Sequence, residues 1–453
     1  MSRERLPYGG QALVPALLLL SVCGVAWAAL YNLGQVAATR ARLTHAADAA
    51  AYSAALEQAR ALNLLAYINR AQIAHQVAMA HLVTLATWAQ FSDAQARRRG
   101  MGNPPAYLIG SLFGAKAEAS YAAGRSTSGA PDEAIRAYRA HDDLVHDTLL
   151  HVARQAVSAL SRQRADMVQL VLRANYPDLD DLPQALPWRV LADGWPGYVQ
   201  FRPGAALQPL AYAAAGRYDF LQPRNFTRTN SWMVEKRCPE KRHELRRRGA
   251  TQMDEQGNWA SFDSLSYHAL RANKWIGCYF REYPMGWGLA GDGGSGDTVQ
   301  HAPEDFSAED FWRWVSANTS WDIFSGSGNP LADAYAQDDR ATPHGRGLPG
   351  SDDVAAGREA EPLRFSIAVR QPAASLPISG GTSRLAWAGA YAWRAFRPDE
   401  GVTVSAAAET YYVRPQARDD GKRELPTLFR PYWQARRVAV TTGEQSAAHG
   451  AAR

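Results

Sequence analysis

The sequence predicts an α+β protein that begins with a membrane-spanning helix. Three observations lead to this fold class. An uncharged apolar segment lies near the N-terminus, alanine-rich stretches almost without proline follow it, and the rest of the chain has short alternating runs rich in Trp, Tyr, Gly and Pro. Alanine is the strongest helix former, and alternation of apolar and polar residues is typical of strands. We therefore expect a transmembrane helix that continues into a long alanine-rich helix, a second long helix, and a mixed α+β head.

Composition excludes several classes of protein. The chain has 453 residues, of which 46% are hydrophobic and 21% charged, so it can bury a core and is not a disordered protein. Its formal net charge of +5 is too small to argue for nucleic-acid binding. Three cysteines exclude a disulfide scaffold and a four-cysteine zinc site.

Residues 12–31 form the predicted transmembrane helix. This segment of twenty residues carries no charge, and at about 1.5 Å per residue it spans the ~30 Å hydrocarbon core. Arg3 and Arg5 precede it in a short basic segment, 1–11, which favours a cytoplasmic N-terminus and an exported body. No later stretch is long and apolar enough for a second span.

The N-terminus is compatible with three kinds of processing. A secretory signal would be cut after Ala28, whereas a prepilin-type signal would be cut between Gly10 and Gln11 and leave the helix on the mature protein. A lipoprotein signal is disfavoured because Val22, rather than a small residue, precedes Cys23. A retained anchor is favoured by the helix that follows.

Two long helices are predicted after the anchor. The first covers Leu33–Arg97, and the second covers Pro131–Ala174, where Tyr176-Pro177 ends it. Each has one narrow apolar stripe, so we expect them to pack as an antiparallel pair. Ala106–Gly124 could form a short helix between them. The packing seam of the first helix is predicted at Leu64, Ile68, Ala71, His75, Ala78, Leu82, Leu85 and Ala89.

The α+β head begins after Pro177. Its predicted strands are Trp259–Tyr267, Trp275–Tyr283, Leu363–Arg370, Gly401–Ala407 and Glu409–Val413. A capping box of Ser307 and Asp310 predicts a short helix over Ala308–Ser316. The chain then divides into an N-terminal segment 1–11, the anchor 12–31, a helical hairpin 32–176, the first part of the head 177–332, a flexible loop 333–362, and C-terminal strands and tail 363–453.

The N-terminal sequence resembles a known family. GQALVPALLLL, residues 10–20, and RARLTHAADAAAYSAA, residues 40–55, resemble the anchor and the following arginine–alanine–aspartate signature of TadE/TadG-like proteins of the Tad (Flp) pilus assembly system. The resemblance covers about residues 10–59. It implies an envelope component of a pilus or secretion machine, anchored in the inner membrane with an exported domain.

Two features depart from that family's pattern. Pilin-like members carry Glu where this chain has Pro15, which favours an assembly factor over a filament subunit. Many TadG-like members also have a von Willebrand A-type domain with an Asp-x-Ser-x-Ser metal motif. Neither Asp263-Ser264-Leu265-Ser266 nor Asp322-Ile323-Phe324-Ser325 has that spacing. We therefore expect no metal-dependent adhesion site.

Cys238 and Cys278 could form a disulfide. If the body is exported, its compartment is oxidising and the two can pair. The alternative is a pair of buried free thiols.

Candidate metal ligands lie on the second long helix. Asp142, Asp143, His146, Asp147 and His151 recur at spacings of three and four residues, which places neighbours on one face. A lone helix seldom supplies a whole site, so a solvated polar flank is the favoured interpretation and no metal is expected. His75 is similarly expected to be a hydrogen-bonded core histidine.

Motifs for catalysis and cofactors are weak. Gly286–Gly291 matches a dinucleotide fingerprint by letter, but the Gly-rich sequence that follows it predicts a loop. The sequence has no phosphate loop and no Gly-x-Ser-x-Gly motif. We therefore expect neither an enzyme nor a cofactor.

Two other segments could contact partners. The basic run Lys236–Arg248 has no aromatic residue, so it predicts a solvated face, or else contact with acidic headgroups or an acidic partner, and no nucleic acid. The aromatic groups at 311–314 and 429–433 could be anchors for a partner or core residues.

These observations predict a single-pass inner-membrane protein with a body exported to the periplasm or cell surface. It would bind other pilus or secretion-system subunits and the lipid bilayer, and the first helix could mediate oligomerisation. The alternative is a membrane-tethered enzyme or ligand-binding protein that shares only the helical stalk.

Overall fold

The structure is a computed structural model that describes residues 12–127, 129–179, 181–222, 224–254, 256–275, 277–291, 345–358, 362–383, 396 and 400–450. It has an α+β fold, as predicted. The helices are α1 (Leu13–Gly100), α2 (Ala106–Phe113), α3 (Ala115–Ala122), α4 (Ala130–Asp143), α5 (Leu150–Asn175), α6 (Leu182–Ala185), α7 (Gln208–Ala215) and α8 (Thr442–Gly450). The strands are β1 (Trp188–Asp193), β2 (Val199–Arg202), β3 (Phe226–Thr229), β4 (Glu244–Met253), β5 (Trp259–Asn273), β6 (Gly277–Ala290), β7 (Ser351–Val354), β8 (Leu363–Pro372), β9 (Gly401–Tyr412) and β10 (Trp433–Val438).

Helix α1 contains both the apolar segment and the alanine-rich segment. It runs unbroken from Leu13 to Gly100, which confirms the predicted continuous helix. Proline occurs only in its first turn, at Pro15, where a missing N–H removes no intrahelical hydrogen bond. Arg97, Arg98 and Arg99 lie in the last turn and complement the negative end of the helix dipole.

The second long helix is α4 and α5 joined by a π-helical turn, Leu144–Leu149. Together they cover residues 130–175, close to the predicted range. Arg42 of α1 donates to the carbonyl of Asn175 at 2.7 Å, and Arg164 donates to Gln58 Oε1 at 2.8 Å. Contacts early in α1 therefore match contacts late in α5, which confirms the antiparallel packing.

The chain forms two compact units that interleave along the sequence. Unit 1 comprises residues 1–67, 155–200 and 353–453, and unit 2 comprises residues 68–154 and 201–352. Each unit therefore takes residues from α1, from the second long helix and from the head. The segments expected from the sequence, by contrast, follow one another along the chain.

Unit 1 contains an antiparallel sheet with the strand order β1-β8-β9-β10. One side of α1 packs against it through alanines that are fully buried, and the apolar side chains of β8 and β9 meet them. Small side chains allow a helix and a sheet to pack closely at native density. The α1 residues of this core are Leu43, Ala46, Ala47, Ala50, Ala51, Ala54 and Ala55, and the strand residues include Phe365, Ile367, Val402 and Val404.

Unit 2 contains an antiparallel sheet with the strand order β3-β4-β5-β6. Strand β6 passes very close to α1. A Cβ atom on Gly288 would lie 2.3 Å from the carbonyl oxygen of Thr87, and one on Gly286 would lie 3.1 Å from the ring of Phe91. Gly286–Gly291 is therefore mostly strand, and the loop interpretation was wrong. These glycines leave space for the helix.

The predicted seam of α1 is also wrong. Leu64 and Leu85 are each 43% exposed, and His75 is only partly buried. The buried face is rotated and includes many polar side chains, so an apolar pattern could not reveal it. Its polar members are Gln58, Asn69, Gln72, Gln76, Thr84, Thr87 and Gln95.

Most predicted strands correspond to observed ones. β5, β6, β8 and β9 overlap them, although Trp275 lies before β6 and Val413 lies after β9. The two segments predicted at 401–407 and 409–413 belong to one strand, β9. β4 was missed because its sequence, ELRRRGATQM, begins in the basic run. β1 and β10 are short edge strands of unit 1 and were also missed.

Two predictions concern residues that the structure describes only in part. The helix predicted over Ala308–Ser316 and the aromatic group at 311–314 lie outside the described residues. Of the loop predicted over 333–362, residues 345–358 are described and include β7, where Ser351 and Val354 are buried.

Candidate membrane anchor and interaction surfaces

The first turns of α1 form an apolar rod. Leu17, Leu18, Leu19 and Leu20 are each exposed by half or more, and Trp27 is 55% exposed. A run of exposed leucines is unusual on a surface that faces water. Within the described residues, α1 is the one helix long and apolar enough to cross a membrane, and a signal sequence would share that property.

Residues of unit 1 cover one face of α1 immediately after this rod. Ala28 and Asn32 are buried. The side chain of Asn32 donates to Ser379 Oγ at 3.3 Å and accepts from the Ser379 amide at 2.7 Å. Tyr31 lies 3.2 Å from Ser383 Oγ. One face of α1 is therefore covered where a segment distant in sequence is hydrogen-bonded to the helix, a contact that no local pattern indicates, while Leu30 and Leu33 remain exposed.

The cysteines have different environments. Cys23 is a free, exposed thiol on the apolar rod. Cys238 and Cys278 are disulfide-bonded and join the segment between β3 and β4 to the β5–β6 hairpin. The possible processing residues Gly10 and Gln11 lie outside the described residues.

The carboxylates on α4 and the π turn surround an arginine. Arg346 reaches Asp142 and Asp143 at 2.9 Å and Asp147 at 2.6 Å. A hydrogen bond from Arg346 lowers the pKa of Asp147. His146 lies 3.1 Å from the carbonyl oxygen of Gly347. These contacts hold the segment around Arg346 against α4 and the π-helical turn. The described residues include no group of side chains that could hold a metal ion.

His75 contacts a second histidine. Its Nδ1 lies 2.6 Å from Nδ1 of His141 on α4. Burial, and then the charge of His141, lower the pKa of His75. At this distance one ring must be unprotonated at Nδ1 to accept the hydrogen bond. The pair joins two helices within unit 2.

A buried Ser–His–Glu group lies between β5 and β6. His268 Nε2 is 2.9 Å from Ser266 Oγ and 2.6 Å from Glu282 Oε1. In a catalytic triad the serine and the acid contact opposite ring nitrogens. Here both contact the same nitrogen, and all three residues are about 2% exposed. The group therefore lacks the geometry of an activated nucleophile.

Part of the basic run Lys236–Arg248 is buried. Arg247 pairs with Asp263, and Arg224 reaches the same carboxylate at 2.9 Å. Asp263 has no exposed side-chain surface. Arg247 lies over the ring of Phe91 at 3.9 Å. The expectation of a solvated face is thus wrong for Arg247, whose partner comes from a neighbouring strand.

Unit 1 has a cleft of about 450 Å³ beside β9 and β10. Trp433 and Tyr198 are buried in its wall and pack edge to face at 6.0 Å. Glu409 receives a hydrogen bond from Arg436 at 2.6 Å. Trp433, from the aromatic group predicted at 429–433, is therefore a core residue that also lines a shallow cleft.

Comparison with known proteins gives a match for part of the chain. Residues 10–59 match the family model described as putative Flp pilus-assembly TadE/G-like. No curated protein and no solved structure matches the chain. The matched residues comprise the exposed apolar rod and the alanine-packed part of α1, so the N-terminal region is similar to that of TadE/G-like Flp pilus-assembly proteins.

Proposed function

We propose that the protein is a membrane-anchored component of a Tad (Flp)-type pilus or a related secretion system, and that it acts by binding other subunits. The observation that carries this proposal is the coincidence of the matched residues, 10–59, with the exposed apolar rod and the helix that leaves it. A helix of this kind suits attachment to a bilayer.

The proposed location is the inner membrane, with the body in the periplasm. The disulfide between Cys238 and Cys278 supports an oxidising compartment for unit 2. Protease added to spheroplasts should digest the body and spare the anchor. Digestion only after the cells are lysed would place the body in the cytoplasm and overturn the orientation.

The fate of the anchor decides between an assembly factor and a filament subunit. Sequencing of the mature N-terminus from the membrane fraction is the direct measurement. We expect an uncut, membrane-bound chain because Pro15 stands where pilin-like members have Glu. A start at Gln11 would favour a filament subunit, and a soluble chain starting at Ala29 would contradict the anchor.

Binding requires an exposed surface on the helix that carries the family match. Tyr52 and Leu64 on α1 are partly exposed, and Tyr67 is 59% exposed. Exposed aromatic and apolar side chains often anchor protein contacts. We propose that this face of α1 contacts another pilus subunit.

A photo-crosslinking amino acid at Tyr67 tests this contact in cells that assemble the pilus. The expected result is an adduct that contains the pilin or another assembly protein of the same system. The matched control is the same substitution at Tyr107, which is 72% exposed in unit 2. Identical adducts from both positions, or none with a pilus protein, would contradict the proposed face.

A further inference from the structure

The β5–β6 hairpin ends in a highly exposed tryptophan. Asn273 pairs with Gly277, so Trp275 lies in the connecting turn, where it is 83% exposed. Its amide donates to Asn273 Oδ1 at 2.9 Å, which holds the turn, and Lys274 Nζ lies 4.9 Å from its ring centre. The hairpin thus presents an aromatic ring and a cation together.

The segment between β3 and β4 lies beside this hairpin. The Cys238–Cys278 disulfide joins the two, the Leu270 amide donates to His243 Nδ1 at 2.8 Å, and Lys241 lies over Phe280 at 6.0 Å. Trp232 and Met233 in this segment are 45% and 52% exposed. We call residues 230–243 together with 271–275, 277 and 278 the hairpin tip.

The hairpin tip is strongly cationic. It contains six Lys or Arg residues against two Glu, Glu235 and Glu240. Among the described residues, five of the six cations have no ion-pair partner and are exposed: Lys236, Arg237, Lys241, Arg271 and Lys274. An excess of unpaired positive charge beside exposed indole rings is what a binding surface for an anionic, partly apolar partner requires.

We propose that the hairpin tip binds the surface of an anionic phospholipid bilayer. Tryptophan prefers the membrane–water interface, where its ring is apolar and its N–H remains hydrated. Lys and Arg near an anionic surface each strengthen the attraction to it. Trp275 lies in the turn of the hairpin and is 83% exposed, so its ring is accessible to the headgroup layer. This second membrane contact is independent of the anchor and of the pilus-assembly role.

Vesicle capture with the full-length chain tests the proposal. The protein is reconstituted into vesicles of phosphatidylcholine. Their bilayer accommodates the apolar anchor, and their zero net charge leaves the hairpin tip unbound. Fluorescent acceptor vesicles contain phosphatidylcholine alone or a mixture with phosphatidylglycerol. We expect capture of the phosphatidylglycerol vesicles only, weakening as salt is added.

Matched variants assign the effect to the tip. Arg271→Glu with Lys274→Glu should lower capture by about tenfold or more, since tenfold corresponds to about 1.4 kcal/mol. Trp275→Ala should lower it by a smaller factor. Lys116→Glu with Arg139→Glu, exposed residues elsewhere in unit 2, changes the net charge equally and should leave capture unchanged. An intact Cys238–Cys278 bond in each variant shows that the tip has folded.

Three results would overturn the proposal. The first is absence of capture by the unmodified protein. The second is an equal loss of capture in the two double variants, which would mean a general charge effect. The third is binding of soluble polyglutamate without capture of any vesicle, which would assign the tip to an acidic protein partner instead.

Discussion

Helix α1 buries its surface in two different ways in the two units. In unit 1, residues 43–55 present alanines to a sheet of apolar side chains. In unit 2, residues 69–90 present amide and hydroxyl groups to strands and loops. Gln76 accepts a hydrogen bond from the Trp259 indole at 3.1 Å, and Thr87 donates one to the Ser261 carbonyl at 2.9 Å. Gln90 accepts one from the Leu289 amide at 2.8 Å.

In unit 1 the packing of α1 depends on the small size of its buried side chains. In unit 2 it depends on the hydrogen bonds that its buried polar side chains make. Alanine cores depend on close packing, so added volume is the main threat to them. Polar cores depend on complete pairing, because an unpaired buried polar group costs about 1–3 kcal/mol. Four predictions follow from this contrast, and the largest concerns unit 2.

Asp263→Asn should destabilise unit 2 most. The carboxylate is fully buried between Arg224 and Arg247, and its loss would leave two half-buried guanidinium groups without their counter-charge. We expect a loss of about 3–5 kcal/mol in unfolding free energy, measured by urea denaturation in detergent. Asp166→Asn breaks an exposed pair with Arg162 and should change stability by less than about 1 kcal/mol. Equal effects would refute the role of the buried carboxylate.

Ala51→Leu should destabilise unit 1. Ala51 has no exposed surface and faces the sheet, so a larger side chain must displace the strands at a cost of about 1–3 kcal/mol. Ala41→Leu on the exposed side of α1 is the matched control and should be nearly neutral. The measurement is the midpoint of thermal unfolding. A neutral Ala51→Leu would show that the alanine face is loosely packed.

Substitution of Gln72 and of Gln76 by methionine should change the free energy of unfolding in opposite directions. Both are 1% exposed. Among the described residues, neither polar atom of the Gln72 side chain has a hydrogen-bond partner, whereas Gln76 Oε1 accepts from the Trp259 indole and only its Nε2 is unpaired. Gln72→Met should raise the unfolding free energy, and Gln76→Met should lower it, each by about 1–2 kcal/mol. Changes of the same sign would mean that pairing does not control this core.

Ionisation of Glu444 should make the stability of unit 1 depend weakly on pH. Desolvation alone would raise its pKa, but hydrogen bonds from Arg364 and the Thr441 amide hold the pKa at about 2. Because this lies below the unfolded value of about 4.3, the stabilisation is complete above about pH 5 and declines toward pH 2.

The test compares the unmodified chain with Glu444→Gln across this range. After allowance for solvent screening, the difference should be about 1 kcal/mol at neutral pH and should vanish near pH 2. A difference that is constant with pH would mean that the charge of Glu444 is unimportant.

The sequence predicts elements better than it predicts their contacts. The extent of α1 follows from alanine content and the absence of proline after Pro15, and β5, β8 and β9 follow from alternation. The interleaved units depend on pairs such as Trp188 with Val369, which no local pattern encodes. The buried face of α1 between residues 64 and 89 was missed because polar side chains, such as Gln72, Gln76 and Thr84, interrupt its apolar pattern.

The candidate sites show the same division. The apolar anchor is predictable because length and lack of charge suffice to define it. In the sequence, the carboxylates on α4 suggest metal ligands or a solvated flank. In the structure their counter-charge is Arg346, about two hundred residues away. The hairpin tip combines two separate segments, and only the disulfide and the observed strand register bring them together.

The hydrogen bonds between Asn32 and Ser379 have a mechanical consequence. Helix α1 continues beyond the apolar rod without a break, and these hydrogen bonds attach it to the rest of unit 1 within about one turn. Torsion of the rod about its own axis must therefore rotate unit 1 with it. A contact that turns the rod would therefore also set the direction in which each side of unit 1 faces.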